Sequence, residues 1–342
     1  MKRRGVTVLL GALFTALLAL GVVTTPIPYV VLKPGPTVDT LGTDKGKQVI
    51  NITGTATSAS TGQLRLTTVG VQSKVELLWA IRGWISDEDA VVPRELVYPP
   101  NQSEKQVEQR NAEDFKASQS TAETAALRQL GYPVEVTVVK VVPDGPSQGR
   151  LQPGDVITAV DGQPVTAGGQ VTEFVRAKPA GTSLTVAYRR GKQTGTTTIT
   201  SRSEKSDDPP RIGVEIDPRQ PHPFQLDIEL DKIGGPSAGL MFSLGIIDKL
   251  RPADLTGGRV IAGTGTIDDL GRVGPIGGIP QKLVGAQAAR ATVFLTPAGN
   301  CAEAVRNARP GLPLVKVATL NEALAALETL RAGGQPPLCA AP

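Results

Sequence analysis

The chain has 342 residues, of which 40% are hydrophobic and 20% are charged, and its formal net charge is +4. This is the composition of an ordinary globular protein, and the length allows two or three domains. The 36 Lys and Arg residues are spread along the chain rather than clustered with aromatic residues, so we expect no nucleic-acid partner.

The residues that most often hold metals or move protons are scarce. The single histidine, His222, lies between Pro221 and Pro223, which favours an extended connector over an acid–base role. Cys301 and Cys339 are far apart, and neither lies in a CxxC pair or near a histidine. We therefore expect no metal site and no cofactor. The cysteines either form one disulfide or are two buried thiols.

The N-terminus has the pattern of a membrane anchor. Three basic residues at 2–4 precede an uncharged, apolar stretch at 5–23, and Pro26 ends any helix there. A bilayer needs about 20 such residues, and basic residues stay on the cytoplasmic side. The alternative is a cleaved signal peptide, but no A-x-A site closes the segment. We expect one retained span at 5–23 in the cell membrane, with the rest of the chain outside the cytoplasm.

The first elements after the anchor are predicted strands and one helix. Residues 48–53 and 64–69 have the β-branched and apolar character of strands between turns. Residues 75–84 carry apolar side chains at helical spacing, and Trp79 and Trp84 are interpreted as core anchors of that helix.

Two helical segments follow. Residues 102–113 are polar and helical in character. Residues 122–130 place Ala122, Ala125 and Ala126 on one face of a helix that stops at Gly131. Because these side chains are small, we expect this helix to pack closely on a sheet.

The next segment has the order of elements of a known binding module. A strand at 134–142 is followed by the turn Pro143-Asp144-Gly145-Pro146, the run LQPGDVITAVDG at 151–162, a helix near 169–177 and a closing strand pair. The Asp-Gly turn alone suits any β protein. The combination resembles the PDZ family over residues 132–201. That resemblance implies a domain that adds an extended peptide tail to a sheet edge.

A polar connector at 202–211, a predicted strand at 212–216 and an alternating segment at 224–230 lead to the motif GPSAGL at 235–240. Pro236 suits the start of a helix, and Ser237 would then lie in its first turn. Backbone amides at such a position lack helical partners and could hold an oxyanion. Alone, the motif is more often a helix cap than a catalytic site.

A second pair of motifs changes that interpretation. GTGTI at 263–267 and GPIGGIPQKL at 274–283, together with GPSAGL, resemble the Lon peptidase family over residues 212 to about 330. The resemblance implies that Ser237 is the nucleophile, Lys282 its base and Thr264 a hydroxyl that orients the lysine. The supporting positions are Gly235, Pro236, Ala238 and Gly265. Two departures from the family pattern are Gly234 and Thr266, where cytoplasmic members usually carry acids.

A lysine can act as a base only if it is neutral, so its pKa must fall from about 10.4 toward 7 or 8. Apolar neighbours after Lys282 and a place in the first turn of a helix would both lower it. Lys232 and Lys249 are closer to Ser237 in sequence, and we interpret both as solvated surface charges.

Together these patterns predict an α+β protein in which a Lon-type peptidase domain of mixed sheets and packed helices accompanies a β-rich PDZ domain after one membrane helix. The expected boundaries are 1–26 for the anchor, 27–130 for the first part of the peptidase domain, 131–203 for the PDZ domain, 204–332 for the catalytic region and 333–342 for a tail. The PDZ domain is expected to interrupt the peptidase domain.

The predicted activity is that of a serine endopeptidase that cleaves unfolded polypeptides. No phosphate-binding GxxxxGK[ST] loop is present, so we expect no use of ATP. The alternative is a PDZ adaptor with a latent or inactive peptidase unit. A third possibility is a latent enzyme that becomes competent only as a homo-oligomeric ring or after the PDZ domain engages a peptide.

Overall fold

The computed structural model describes residues 2–205, 207–230 and 233–340, apart from the side chains of 2–5, 18–20 and 22–24. The chain divides into two compact units. The first unit comprises residues 1–52, 56–122 and 226–342, and the second comprises 53–55 and 123–225. In the sequence, the segments of the first unit therefore lie both before and after the main segment of the second unit.

The described residues form eight α-helices and twenty strands. The helices are α1 Lys2–Thr24, α2 Leu77–Ile85, α3 Glu104–Gln129, α4 Gln170–Arg176, α5 Gly239–Leu250, α6 Ile279–Ala288, α7 Cys301–Arg306 and α8 Leu320–Arg331. The strands are β1 Pro26–Ile27, β2 Tyr29–Asp39, β3 Thr43–Asp44, β4 Lys47–Gln48, β5 Ile50–Thr53, β6 Gln63–Gln72, β7 Val75–Glu76, β8 Ala90–Pro93, β9 Glu135–Val141, β10 Val156–Val160, β11 Gln163–Pro164, β12 Ser183–Arg190, β13 Gln193–Thr200, β14 Val214–Arg219, β15 Gln225–Ile228, β16 Val260–Gly263, β17 Thr266–Ile267, β18 Val273–Gly274, β19 Val293–Pro297 and β20 Leu314–Val317.

The main sheet of the first unit has the strand order β20-β19-β16-β6-β2-β8. The strands from β20 to β6 are parallel, whereas β2 runs antiparallel to both β6 and β8. Strands of both predicted peptidase segments thus share one sheet, with Ile261 of β16 opposite Leu64 of β6. Ile261, Leu64 and Leu66 are fully or almost fully buried, so this junction lies in the core.

Helix α5 is the central helix of the first unit. Every residue from Gly239 to Asp248 is buried, as expected for a helix that is apolar on all sides. The two predicted helical segments at 102–113 and 122–130 are a single helix, α3, and Ser243 of α5 donates a hydrogen bond to the carbonyl of Ala122. A small-residue face on α3 allows this close approach.

The two tryptophans are not core residues, contrary to the sequence interpretation. The helix at 75–84 is present as α2, but Trp79 is 47% exposed and Trp84 is 57% exposed. The buried positions of α2 are the small residues Ala80 and Gly83. The periodicity was helical, but the side with the small side chains packs inward.

The second unit contains an antiparallel sheet with the order β13-β12-β10-β9-β14, and β11 pairs with β10. Its core includes Val136, Ile157, Leu184 and Ile199. Strand β14 was predicted at 212–216 as part of the catalytic region that starts at 204. It instead pairs with β9 and ends the sheet of the second unit, because its apolar residues pack on that core.

At the N-terminus the structure has the predicted helix, α1. Among the described residues, no helix combines the length and the apolar character that crossing a membrane requires. The predicted span at 5–23 includes residues 5, 18–20, 22 and 23, whose side chains lie outside the described part. The span is therefore not confirmed.

Candidate active site

Ser237 lies in the loop that leads into α5, two residues before the helix begins at Gly239. The expected place in the first turn is therefore slightly wrong, since Ala238 is the N-cap residue. Ser237 is half-buried, whereas Ala238 is 4% exposed. Ser237 is thus partly exposed at the N-terminal, positive end of a buried helix.

Helix α3 holds this loop from the other side. The amide of Gly235 donates to the carbonyl of Asn111 at 2.8 Å, and the buried Ser118 hydroxyl donates to the carbonyl of Pro236 at 3.0 Å. These two contacts fix the backbone on the N-terminal side of Ser237. Neither residue was predicted from sequence, because an Asn and a Ser in a polar helix carry no signal of such a role.

The contact with α3 also explains one departure from the Lon pattern. A Cβ at Gly234 would lie 2.9 Å from Cβ of Asn111, closer than side-chain atoms approach. Any side chain larger than that of glycine at this position would therefore crowd Asn111 of α3. Glycine at position 234 therefore leaves the space in which the Gly235 amide can approach the carbonyl of Asn111 on α3.

Thr264 and Gly265 follow β16 and lie against the carbonyl of Ser237. The Gly265 amide donates to that carbonyl at 2.9 Å, and the Thr264 hydroxyl donates to it at 3.0 Å. The Leu240 amide in turn donates to the carbonyl of Gly265 at 3.1 Å. The carboxyl end of a parallel strand therefore positions the C-terminal side of Ser237, while α3 positions the N-terminal side.

Lys282 reaches the same place from α6, as its fourth residue. Its Nζ is 2.8 Å from Ser237 Oγ and 2.8 Å from Thr264 Oγ1. Because the Thr264 hydroxyl donates to the carbonyl of Ser237, its oxygen accepts from the Lys282 nitrogen. One hydrogen of a neutral amine is thereby used, and its lone pair can face Ser237 Oγ.

The electrostatic surroundings favour the neutral amine. Lys282 is only 2% exposed, and its flanking residues Gln281 and Leu283 are also buried. Burial lowers the pKa of Lys282 from 10.5 to about 7, and no carboxylate contributes an opposing rise of this pKa. A serine next to a lysine that is neutral near pH 7 is the arrangement needed for nucleophilic catalysis.

The loop before α6 is held by Asn300. The Asn300 side chain accepts from the Ile276 amide at 2.8 Å and donates to the Ile276 carbonyl at 2.9 Å. The next residue, Cys301, forms a disulfide with Cys339, which resolves the alternative that the sequence left open. The disulfide and Asn300 thus belong to the support of the segment that carries Lys282.

The other candidates considered from sequence lie elsewhere. Lys249 is half-buried rather than solvated, its pKa is lowered mainly by burial, and its Nζ contacts Gln48. Lys232 lies outside the described residues. His222 belongs to the second unit, where its Nδ1 contacts the carbonyl of Gln220 at 2.7 Å.

The second unit has a groove of its own, which the sequence did not reveal. It has a volume of about 390 Å³ and lies between α4 and β14. Strand β14 is the terminal strand of the sheet, so an edge is adjacent to the groove. The groove is lined by apolar residues and by charges of both signs. The apolar residues include Val171, Val175, Val214 and Ile216, and the charged ones are Arg176, Arg202, Arg211, Asp144 and Glu204.

Two family models match the chain. The PDZ domain matches residues 106–200, and the Lon protease (S16) C-terminal proteolytic domain matches residues 231–328. Residues 231–328 include Ser237, Thr264 and Lys282. Among curated proteins, Lon protease 2 of Herpetosiphon aurantiacus is 38% identical over 93 residues. That match covers 26% of this chain and 11% of the relative, so the chain spans a small part of that protein's length.

Solved structures of PDZ domains are also similar. The PDZ domain of an SdrC-like protein from Listeria monocytogenes is 25% identical and covers 24% of this chain and 85% of that one, with a TM-score of 0.23. The corresponding domain from Listeria innocua is 27% identical over 24% of this chain and 92% of that one, also with a TM-score of 0.23.

Proposed function

Because this chain contains a PDZ domain and a Lon-type proteolytic domain, we propose that it is a serine endopeptidase with Ser237 as nucleophile and Lys282 as general base. The observation that carries the proposal is the 2.8 Å contact between Lys282 Nζ and Ser237 Oγ. Because burial lowers the Lys282 pKa to about 7, the amine in this contact can be neutral and can accept the proton of Ser237.

The reaction begins with neutral Lys282, which accepts the hydroxyl proton of Ser237 as Oγ attacks the carbonyl carbon of a peptide bond. The resulting ammonium donates that proton to the leaving amine, and an acyl-enzyme forms at Ser237. Water then attacks the ester carbonyl while Lys282 accepts a proton from it. The bond to Ser237 Oγ breaks, the ammonium returns its proton to Oγ, and the carboxylic acid product leaves. Thr264 keeps the nitrogen in line through its hydrogen bond with Nζ throughout both steps.

The negative oxygen of the tetrahedral intermediate needs donors that are in place beforehand. Backbone amides at the start of α5, near Ala238, are suited to this because the first amides of a helix have no intrahelical acceptor. The rigid hold on Gly235, Pro236 and Gly265 supports such preorganisation. The sequence contains no GxxxxGK[ST] loop to bind a nucleotide, so we propose that cleavage by this chain is independent of ATP.

The test is cleavage of unfolded casein by the purified full chain. We expect cleavage to be lost in Ser237→Ala and in Lys282→Met. Lys249→Met is the matched control, because burial lowers the pKa of Lys249 as well, yet its amine contacts Gln48. Cleavage that survives in both site variants would reject the proposal. Absence of cleavage by the unaltered chain would favour an adaptor whose peptidase unit is inactive.

We propose that the groove of the PDZ domain binds the C-terminal tails of substrates or partners as an added strand beside β14. The terminal position of β14 and the apolar residues that β14 and α4 contribute to the groove support this role. A fluorescent peptide with an apolar C-terminal residue should bind the full chain, and Val175→Asp should abolish binding. Equal binding by the variant would exclude the groove.

We propose that the catalytic region works outside the cytoplasm. The disulfide between Cys301 and Cys339 supports this location, since such bonds persist mainly in oxidising compartments. Attachment through residues 5–23 and assembly into a ring stay predictions. Protease protection in intact cells tests the location, and sedimentation tests the assembly.

A further inference from the structure

Helix α2 turns its large apolar side chains away from the first unit. Leu78, Trp79, Ile81, Trp84 and Ile85 are all exposed, with Ile85 79% exposed. A row of large apolar residues on a surface helix is costly in water and usually marks a contact surface. We name these five residues the α2 face.

The inward side of α2 holds the helix in this orientation. Ala80 is completely buried and packs in the same cluster as Val31 and Val75. A Cβ at Gly83 would lie 2.7 Å from Cγ2 of Val91, so a larger side chain does not fit there. The helix backbone therefore lies close to the sheet, and rotating the tryptophans inward would displace β8. The α2 face is a fixed feature of the fold.

The position of α2 points to its partner. Strand β1, which begins two residues after α1 ends at Thr24, pairs with β7, and β7 runs directly into α2. Helices α1 and α2 are in contact. The described apolar side chains of α1, such as Leu9 and Phe14, are exposed as well. Two exposed apolar helices thus lie together at one place on the first unit.

The residues around the α2 face favour lipid over protein. Lys33 Nζ lies 5.4 Å from the ring centroid of Trp79, and the Arg82 guanidinium lies 5.9 Å from it. Tryptophans flanked by long cationic side chains are typical of the water–bilayer interface, where the ring lies among headgroups and the charge stays in water. In a protein contact both cations would have to be desolvated and paired with carboxylates, whereas at a bilayer surface their charges stay in water.

From these observations we propose that α2 lies in the headgroup region of a lipid bilayer, with the α2 face inserted and the charged ends of the Lys33 and Arg82 side chains extending to water. Acidic residues at Glu76 and at 87–89 flank the helix and offset the basic ones. Apolar burial therefore drives the contact, and vesicles of neutral phosphatidylcholine are sufficient. The proposal does not depend on proteolytic activity.

Intrinsic fluorescence tests this directly, because the chain has two tryptophans and both belong to α2. The full chain is mixed with phosphatidylcholine vesicles, with and without lipids brominated near the headgroup. We expect a blue shift of the tryptophan emission, protection from acrylamide in water, and loss of intensity with the brominated lipid. The signal reports on α2 even if α1 binds the vesicle by itself.

The matched variants are Ile85→Glu in the α2 face and Leu270→Glu, which changes an exposed apolar residue elsewhere in the first unit. The first should reduce the bromine quenching, and the second should leave it unchanged. Emission that stays unshifted and unquenched with lipid would overturn the proposal. So would a blue shift that appears without lipid, either as protein concentration rises, which indicates a second copy, or on adding unfolded casein, which indicates substrate.

Discussion

The pH dependence of cleavage is a direct test of the role of Lys282. Only the neutral amine can accept the proton of Ser237, and burial lowers the pKa of Lys282 from 10.5 to about 7. The difference between these two pKa values means that the folded protein destabilises the ammonium form of Lys282, relative to the neutral amine, by about 5 kcal/mol. Because the side chain is only 2% exposed, solvent screening reduces this value little.

The expected profile follows from the fraction of neutral amine. The kcat/KM for casein cleavage should rise about tenfold per pH unit below pH 7 and level off above pH 8. At pH 6 it should be about one-tenth of the plateau. With an unshifted pKa, only about one lysine in a thousand would be neutral at pH 7.5, and the rise would continue to pH 10.

The assay is the initial rate of fluorescent casein cleavage from pH 5.5 to 9.5 at constant ionic strength. Histidine commonly titrates in this range, so the variant His222→Gln is measured in parallel, and we expect the same midpoint. A rate that is flat from pH 5.5 to 8, or a midpoint that moves in His222→Gln, would refute the assignment of Lys282 as the base.

Three further outcomes are expected. Ser118→Ala removes the hydrogen bond to the carbonyl of Pro236, so kcat should fall while KM and the pH midpoint change little; a KM effect alone would contradict this positioning role. Asn300→Ala removes two hydrogen bonds to the backbone of Ile276, and urea unfolding should show a loss of about 1–3 kcal/mol. Between pH 7 and 10.5 the Lys282 side chain is mostly protonated in the unfolded state but mostly neutral in the folded state, and Lys282→Met removes this difference. Wild-type stability should therefore rise relative to this variant by about 3 kcal/mol from pH 7 to pH 9.5, and a constant difference would be the contrary result.

The sequence contained the chemistry of the site because the reacting groups lie in compact motifs. Ser237 and Lys282 are 45 residues apart, but each is flanked by glycines and prolines that mark its segment. The matches to the PDZ and Lon proteolytic domains confirm the two resemblances. Such a motif can be recognised from sequence because the local geometry that it specifies, such as a tight loop before a helix, depends on neighbouring residues alone.

Only the tertiary structure decided which surfaces meet. Asn111 and Ser118 support the nucleophile loop from a helix more than 100 residues earlier, and nothing in their local sequence indicates that contact. Trp79 and Trp84 fit a helical period equally well facing in or out, and the small side chains at Ala80 and Gly83 set the direction. Periodicity reports the local geometry of a helix, whereas the choice of the buried face depends on what the rest of the chain packs against it.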